Sequence, residues 1–576
     1  MWFAQPVLAL SETWCCTPRQ ARRRLSELQQ QGRIEYRSGR GRGHVTQLRF
    51  MRPARDELLR ASKLLAEAGD TPMLIRLLNL PMPAELRLEA AGPLRALFGW
   101  SSPERGRDVF RYMWRGDLPP IDPLCCYLTF TMNLISQLGD TLLRYDAKTQ
   151  QVQPHLAHAH ETTDGGRTWT LHLRKGVRFH HGLELTAADV LHTFQRFQTG
   201  PANYAFLLAD LVSVRALDPY TVQLELGEPN LFFPVFLTNV ALVILPHDVP
   251  FDERVWTATG PFRLTDRREE RLQFQANDRY FLGRPLLDQV EVLLVQGPSA
   301  GVLSISKEPS TPEDVPALEI EPGATYLVAS GQPGSPLADR HLRLALTSLL
   351  DTQRMWADLG RGPDTMLPAR SFLPDRSRRS PALAPLDART LLSESGYQGE
   401  PLRMLYLGKA DYRFQKEAAW LQERAMEIGI VIEIFPWLFE EVFHSEEAMV
   451  GADLILCTEL FSDEPHLSFI AALKDTNLPL RHLLPEPVLS ELDARLRVIQ
   501  SLDFGGREEQ MGELEQWLTR EGWVTFTYHR VGTFHHAPHL RGLNMAAFGE
   551  ADWRTLWFRP EQGSAENNSA VGAARK

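Results

Sequence analysis

Arginine is concentrated in one short segment of this sequence. Residues 17–52 contain ten arginines and two acidic residues, a charge of +8, whereas the whole chain carries −10. A guanidinium group can pair with a guanine edge through two hydrogen bonds or clamp a phosphate. A basic segment on an otherwise acidic chain is typical of local nucleic-acid binding rather than of general adhesion to polyanions. The sequence therefore predicts a nucleic-acid interface near the N-terminus.

Many of these arginines lie on one predicted helix. Thr17 and Pro18 form a helix start, as N-cap and first helical residue. Gly32 supplies the left-handed residue at which such a helix ends. Between these limits, three apolar residues recur at helical spacing and form one stripe that faces a core: Ala21, Leu25 and Leu28.

The segments around this helix complete a DNA-binding module. Residues 8–14 are compatible with a short helix, Cys15–Cys16 with a turn, and residues 33–36 and 46–50 with two strands. Residues 37–44, rich in Gly and Arg, join the strands. This is the order of a winged helix-turn-helix, whose second helix enters the major groove while the wing contacts the backbone or minor groove. An RNA-binding helix beside a flexible RG-rich loop is the alternative, which the flanking strands disfavour.

We predict contacts with double-stranded DNA from the exposed helix face and from the wing. The helix residues are Thr17, Arg19, Gln20, Arg22, Arg23 and Ser26, and the wing residues are Arg37, Arg40 and Arg42. Arg19, Gln20, Arg22 and Arg23 would read bases, and the wing arginines would hold phosphates. A winged helix ordinarily has one more helix before this pair. The pattern thus leaves a second interpretation open. In it, the N-terminal module at residues 1–52 lacks its first helix and does not bind DNA, and the protein only buffers a ligand.

Length and composition limit which other classes of protein this chain can belong to. A chain of 576 residues exceeds one ordinary core, so several domains are expected. Five cysteines, four of them in adjacent pairs, suit neither a disulfide framework nor a zinc site. We find no export-signal pattern and no apolar run of membrane-spanning length, and expect a cytoplasmic protein. We also expect no catalytic residue, cofactor or metal, and interpret the histidines at 155–160 and 529–539 as ordinary, the latter as solvated loop residues.

From about residue 108 the sequence alternates short strands with helices. Residues 169–194 read WTLHLRKGVRFHHGLELTAADVLHTF, a strand, a turn and a capping-box helix start at Thr186 and Asp189. Four segments together resemble the family 5 extracellular solute-binding proteins. They are this run, residues 259–264, residues 276–288 and the helix pattern of residues 339–346. The resemblance spans about residues 108–560.

The basic head followed by this body resembles the SgrR-type transcriptional regulators. That resemblance implies a multidomain α/β fold, in which a winged helix-turn-helix precedes a two-lobed, class II periplasmic-binding-protein-like body. It also implies DNA and a small-molecule ligand as partners. The predicted domains are the winged helix at 1–52, a helical connector at 53–107, lobe I at 108–328 and 525–560, lobe II at 329–524 and a disordered tail at 561–576. The alternative is a peptide- or nickel-type solute-binding component of an ABC transporter.

Candidate ligand contacts come from one motif of that family. Its peptide-binding members carry an Asp in a D-Y-x-E/D-P segment that anchors the peptide amine. The matching segment here is 460–465, with Phe461 in the Asp position. Glu459 and Asp463 are the neighbouring carboxylates, so these three residues are the candidates, and the identity of the ligand stays open.

Overall fold

The structure, a computed structural model, divides by its internal contacts into two units, residues 1–97 and 98–576. It describes residues 3–5, 7, 10, 17–37, 46–68, 70–80, 82, 86, 89–90, 99–101, 107–115, 118–295, 301–302, 315–362, 365–381, 387–408, 412–438, 449–536, 540–543 and 552–559. Arg40, Arg42, Cys15–Cys16, the tail at 561–576 and most of the segment 86–97 lie outside these residues.

The described part of the N-terminal unit includes three helices of eight or more residues and a small antiparallel sheet. Its elements are β1 (Phe3–Gln5), α1 (Pro18–Gln30), β2 (Ile34–Arg37), β3 (Thr46–Phe50), α2 (Ala54–Glu67) and α3 (Thr71–Leu78). The sheet order is β1-β3-β2. Leu25 of α1 packs on Ile34 and Leu48 of the strands to form a small core. The helix and both wing strands agree with the sequence-based prediction, whereas β1 was not predicted.

The connector predicted at residues 53–107 does not stand apart from the head. The segment contains the expected helices, α2 and α3. By their internal contacts these helices belong to the N-terminal unit, which extends to Leu97. α3 buries Leu74, Ile75 and Leu78, so its apolar side faces protein. The winged helix is therefore part of a larger N-terminal unit.

The strands of the second unit are β4 (Gly99–Ser101), β5 (Val109–Arg115), β6 (Leu143–Asp146), β7 (Gln151–Pro154), β8 (Ala157–Thr163), β9 (Thr168–Leu173), β10 (Leu211–Asp218), β11 (Thr221–Leu226), β12 (Phe262–Arg268), β13 (Arg271–Ala276), β14 (Gln289–Val295), β15 (Gly301–Val302), β16 (Val315–Ile320), β17 (Gly323–Ala329), β18 (Met366–Pro368), β19 (Leu402–Gly408), β20 (Ile432–Leu438), β21 (Leu454–Leu460), β22 (Val524–His536), β23 (Leu540–Arg541) and β24 (Trp557–Phe558).

Its helices are α4 (Thr129–Leu138), α5 (Ala187–Thr199), α6 (Phe233–Phe236), α7 (Arg340–Leu349), α8 (Thr352–Asp358), α9 (Pro374–Arg379), α10 (Ala388–Glu394), α11 (Tyr412–Met426), α12 (Pro465–Lys474), α13 (Pro479–Leu483), α14 (Glu486–Ser501) and α15 (Phe504–Arg520). Local sequence explains their starts. Thr186 and Asp189 form the predicted capping box before α5, and the Asp339 carboxylate caps α7.

Three larger sheets organise the second unit. One has the order β10-β11-β9-β8, and a second has β12-β13-β14-β5-β15 with β4 added beside β5. The third has the order β16-β22-β17-β21-β19-β20 with β18 beside β22. β14 runs parallel to β5, and β19 runs parallel to both β20 and β21, so the second and third sheets are mixed. The first sheet is antiparallel.

The predicted lobe limits stay a prediction, and sheet membership bears on three segments near them. β16 and β17 lie in the third sheet, beside strands of the predicted lobe II. β22, predicted in lobe I, pairs with β17 in the same sheet. Trp553 packs on Tyr112 and Phe274 of the second sheet. Long-range strand pairing brings these segments together, and sequence pattern does not reveal it.

The interpretation of His529 as a solvated loop residue is wrong. His529 lies on β22 and is 1% exposed. Its Nδ1 is 2.6 Å from the carbonyl of Gly323, and its Nε2 is 2.7 Å from Ser377 Oγ. Burial lowers the pKa of this imidazole. The residue therefore ties β22 to β17 and α9.

Candidate functional site

Both ends of α1 have the predicted chemistry. Thr17 Oγ1 accepts a hydrogen bond from the Gln20 amide, and Gln20 Oε1 accepts one from the Thr17 amide at 2.9 Å, which closes a capping box. At the other end Gly32 has φ +67°, and the amide of Arg33 donates to the carbonyl of Leu28. The helix limits predicted from the sequence are confirmed.

The capping box changes how Gln20 can act. A glutamine reads adenine by using its amide oxygen and nitrogen together. The oxygen of Gln20 already accepts hydrogen bonds from the Thr17 amide and hydroxyl. Gln20 and Thr17 therefore hold the start of the helix, and a bidentate contact from Gln20 to a base requires the box to open.

The other predicted contact residues of α1 lie at its surface. Arg19, Arg22, Arg23 and Ser26 are all exposed, whereas Ala21 is buried. Arg23 is paired with Glu27 one turn later, at 2.8 Å between Nε and Oε1. The two side chains are 82% and 48% exposed, so the pair is weak and open to exchange. Arg37, at the end of β2, is also exposed.

A second candidate site is a cleft of about 280 Å³ in the second unit, between α4 with the following loop and the start of α12. Two larger hollows, of about 970 and 1120 Å³, lie elsewhere on this unit. We favour the smaller cleft because polar side chains from distant parts of the sequence, several of them buried, converge in its wall, as in small-molecule sites. These include Gln137, Asp140, Arg144, Tyr145, His155, Asp463, Glu464, Asp552 and Arg554.

Asp140 organises one wall of the cleft. The buried carboxylate accepts hydrogen bonds from His155 Nε2 and Tyr280 Oη, each at 2.8 Å, and from Thr259 Oγ1 at 2.7 Å. Burial raises the pKa of this carboxyl, but the hydrogen bonds and the charge of His155 outweigh burial and hold the pKa below its usual value. Asp140 and His155 thus form a fixed polar scaffold in this wall.

A second charged group lies at Asp552. Both of its carboxylate oxygens accept from Arg554, Oδ1 from Nε at 2.7 Å and Oδ2 from Nη2 at 2.5 Å. Arg144 lies 3.6 Å from the same carboxylate, and its side chain is 48% exposed. The Asp552 charge is therefore already balanced by the protein.

Glu464 faces the cleft from the start of α12. Its carboxyl caps that helix by accepting from the Leu467 amide. Burial raises the pKa of Glu464 to about 8, although Leu467 and Arg507 oppose the shift. Glu464 is 5% exposed, and at neutral pH it is mostly protonated. Its carboxyl is thus a neutral hydrogen-bonding group.

The three residues predicted for ligand contact have different surroundings. Asp463 lines the cleft. Phe461 is fully buried and its ring stacks on Phe372 at 5.2 Å, so it is a core residue. Glu459 does not line this cleft, and burial together with the charge of Asp475 raises its pKa to about 8. Sequence reasoning missed Gln137, Tyr145 and Glu464; of these, Glu464 had a usable signal, because it precedes a proline at a helix start.

Comparison with known proteins identifies the class. Residues 151–448 match the bacterial extracellular solute-binding proteins, family 5, and residues 5–91 match the N-terminal region of the sugar transport-related sRNA regulator SgrR. The chain belongs to family 5 of the bacterial extracellular solute-binding proteins. With the SgrR-type N-terminal region ahead of that body, it has the predicted domain organisation of the SgrR-type regulators.

Individual relatives agree with this assignment. The chain is 28% identical over 552 residues to the uncharacterised protein YhjP of Bacillus subtilis, covering 94% of each chain. It is 23% identical over 562 residues to the transcriptional regulator SgrR of Photorhabdus laumondii, covering 95% of this chain and 94% of the relative.

Solved structures confirm the predicted fold class. The oligopeptide-binding protein AppA of Bacillus subtilis superposes with a TM-score of 0.65 at 17% identity, over 79% of this chain and all of AppA. The murein tripeptide binding protein MppA of Escherichia coli gives 0.64 at 19% identity, over 80% of this chain and all of MppA.

Two further observations concern the rest of the chain. Cys125, Cys126 and Cys457 are free thiols. Within the described ranges, no helix has the length and apolar character required to cross a bilayer.

Proposed function

We propose that this protein is a ligand-responsive, DNA-binding transcriptional regulator that acts in the cytoplasm, where its DNA lies. One observation carries the proposal: an SgrR-type N-terminal region with an exposed, arginine-rich α1 shares a chain with a family 5 solute-binding body. SgrR of Photorhabdus laumondii, similar over nearly its whole length, is an HTH-type transcriptional regulator. The body senses a ligand rather than performing catalysis.

The surface of the N-terminal unit supports DNA binding. α1 enters the major groove, Arg19 and Arg22 read bases, and Arg23 exchanges Glu27 for a phosphate. Arg37, with Arg40 and Arg42 of the wing, holds the backbone. Ligand binding in the cleft favours one arrangement of the chain, and a coupling of about 1–3 kcal/mol to DNA affinity is typical of such systems.

A salt series of gel-shift measurements tests the DNA contacts. The wild type and an Arg19→Ala, Arg22→Ala double variant are compared on the upstream DNA of the protein's own gene. We expect the double variant to lose affinity for this DNA at least 30-fold while its log–log salt slope changes little, because Arg19 and Arg22 are assigned to bases and the phosphate contacts remain. Arg279→Ala, an exposed arginine of the second unit, is the matched control and retains wild-type binding. Unchanged binding by the double variant would contradict the assignment of α1.

The peptide-binding structural neighbours favour a second candidate, a solute-binding component of a transporter. Cell fractionation separates the two. A regulator remains with the cytoplasm and is recovered on its DNA by chromatin immunoprecipitation. Native protein found outside the cytoplasmic membrane, with no DNA recovered, would overturn the regulatory function.

A further inference from the structure

Two polar atoms in the cleft wall are buried without a partner in the described part of the chain. Gln137 is 2% exposed, and its Oε1 accepts no hydrogen bond. Its Nε2 is held by Asn133 Oδ1 and Ser136 Oγ, both at 3.2 Å, so the side chain is fixed. The Tyr145 hydroxyl is the second such atom. A buried polar group left unpaired costs about 1–3 kcal/mol, and one that lines a cleft is explained by a ligand that pairs with it.

The charged groups of the same wall are already compensated. Asp140 accepts from three side chains, and Asp552 is held through both oxygens by Arg554. Arg144 and Asp463 are the most solvated charges at the cleft, where water and salt weaken a contact with an ion. A charged ligand would therefore find little uncompensated opposite charge at depth.

The volume of the cleft further limits the ligand that it can hold. A cleft of about 280 Å³ has the volume of about nine water molecules and suits a ligand of roughly a dozen non-hydrogen atoms. Apolar side chains such as Met132, Val240 and Val243 lie among the polar ones. The wall thus offers contacts for C–H faces beside hydrogen-bonding atoms.

We infer that the cleft recognises an uncharged, hydroxyl-rich small molecule, a neutral polyol or monosaccharide, through Gln137 Oε1, the Tyr145 hydroxyl and the Glu464 carboxyl. A ligand hydroxyl donates to the unpartnered oxygen of Gln137, and another pairs with Tyr145. Leaving these buried atoms unpaired is costly, so a ligand without hydroxyls is rejected. This inference rests on the proposed function in taking the cleft as the sensing site.

Isothermal titration of the full-length protein tests the ligand class. The probes are neutral aldohexoses, pentoses and hexitols, the corresponding phosphate monoesters, and alanine-containing dipeptides. We expect at least one neutral probe to bind and the phosphates and dipeptides not to bind. Tyr145→Phe and Gln137→Met should each weaken that binding at least tenfold at nearly constant shape. The first change removes the hydroxyl, and the second removes the amide oxygen together with the nitrogen that bonds Asn133 and Ser136. Tyr220→Phe, whose hydroxyl bonds Glu184 away from the cleft, is the control.

The outcomes separate this inference from the regulatory function. No binding by any neutral probe, binding only of phosphates or dipeptides, or wild-type affinity in both variants would overturn the inference. Each variant is checked by its circular dichroism spectrum and by unchanged gel-shift affinity without ligand. A protein that binds DNA and responds only to a phosphate ester would keep the regulatory function and overturn the neutral ligand. A protein that binds a neutral polyol but no DNA would keep the neutral ligand and overturn the regulatory function.

Discussion

Arginine has opposite roles in the two units. Among the described residues of the N-terminal unit, the ion pairs lie in solvent, as between Arg23 and Glu27. Such pairs contribute little to stability and exchange readily. In the second unit Arg376 is 5% exposed and bonds two glutamates, Glu508 and Glu515. Such buried charges hold helices and cleft walls in place. The exposed arginines of the N-terminal unit are therefore available to a polyanion, whereas a buried arginine such as Arg376 maintains the shape of the second unit.

The largest effect should come from breaking a buried pair. Arg376→Met removes the arginine that pairs with Glu515, which is 2% exposed, whereas Glu508 keeps Arg379 at 3.7 Å and His466 at 2.8 Å. We expect a loss of about 3–5 kcal/mol in the free energy of unfolding, because an unpaired buried carboxylate is poorly solvated. Chemical denaturation of the full chain, followed by tryptophan fluorescence, measures this loss.

The same helix supplies a matched control. Arg378 lies on α9 two residues later, but its side chain is 64% exposed and its partner Asp375 is 83% exposed. Arg378→Met should change the free energy of unfolding by less than about 0.5 kcal/mol. Equal effects of the two changes would mean that burial does not distinguish these arginines.

The next effect concerns pH and Glu464. The folded-state pKa of about 8 lies above the ordinary value of 4.5, so the folded protein holds this proton more tightly. The contribution of Glu464 to the free energy of unfolding is complete below pH 4.5. It falls by about 1.4 kcal/mol per pH unit as the pH rises from 4.5 to 8. Glu464→Gln should remove that slope. Denaturation midpoints of the variant and wild type at pH 5–9 measure the difference, and the exposed Glu509→Gln should keep the wild-type slope.

A smaller effect is expected at the start of α1. Thr17→Ala removes the side-chain half of the capping box and should destabilise the helix by about 1 kcal/mol. Amide hydrogen exchange in α1 should then accelerate about fivefold, while exchange in α12 stays unchanged. Thr17→Ser keeps the hydroxyl and should retain most of the protection. Acceleration in both variants would show that the methyl group, not the cap, stabilises this turn.

These features differ in how far sequence alone can predict them. The ends of α1 and the start of α5 follow from caps within four residues, so pattern reasoning predicted them correctly. β1 is only three residues long and pairs with β3 more than forty positions later, a partnership that no local pattern encodes. The fold class was predicted because several family motifs recur in order along the body.

The cleft also could not be predicted from local sequence, because its residues lie even farther apart in the chain. Asp140 meets Tyr280 across 140 positions, and only the completed fold brings them together. Phe461 was a reasonable candidate by its place in the family motif, but its ring turns into the core against Phe372. A motif position thus predicts where the chain passes and not which way a side chain faces.

The smallest expected effect is also the most direct test of solvent-exposed arginines as DNA contacts. Glu27→Gln removes the partner of Arg23 and one negative charge beside the predicted interface. We expect DNA affinity to rise two- to fivefold and the log–log salt slope to steepen by up to about 0.9, since Arg23 then engages a phosphate without losing Glu27. Fluorescence anisotropy at several salt concentrations measures both quantities. Glu57→Gln, which removes the partner of Arg52 on α2, makes the same charge change away from α1. An equal gain in both variants would indicate a long-range field of the unit, because only a local contact distinguishes Glu27 from Glu57.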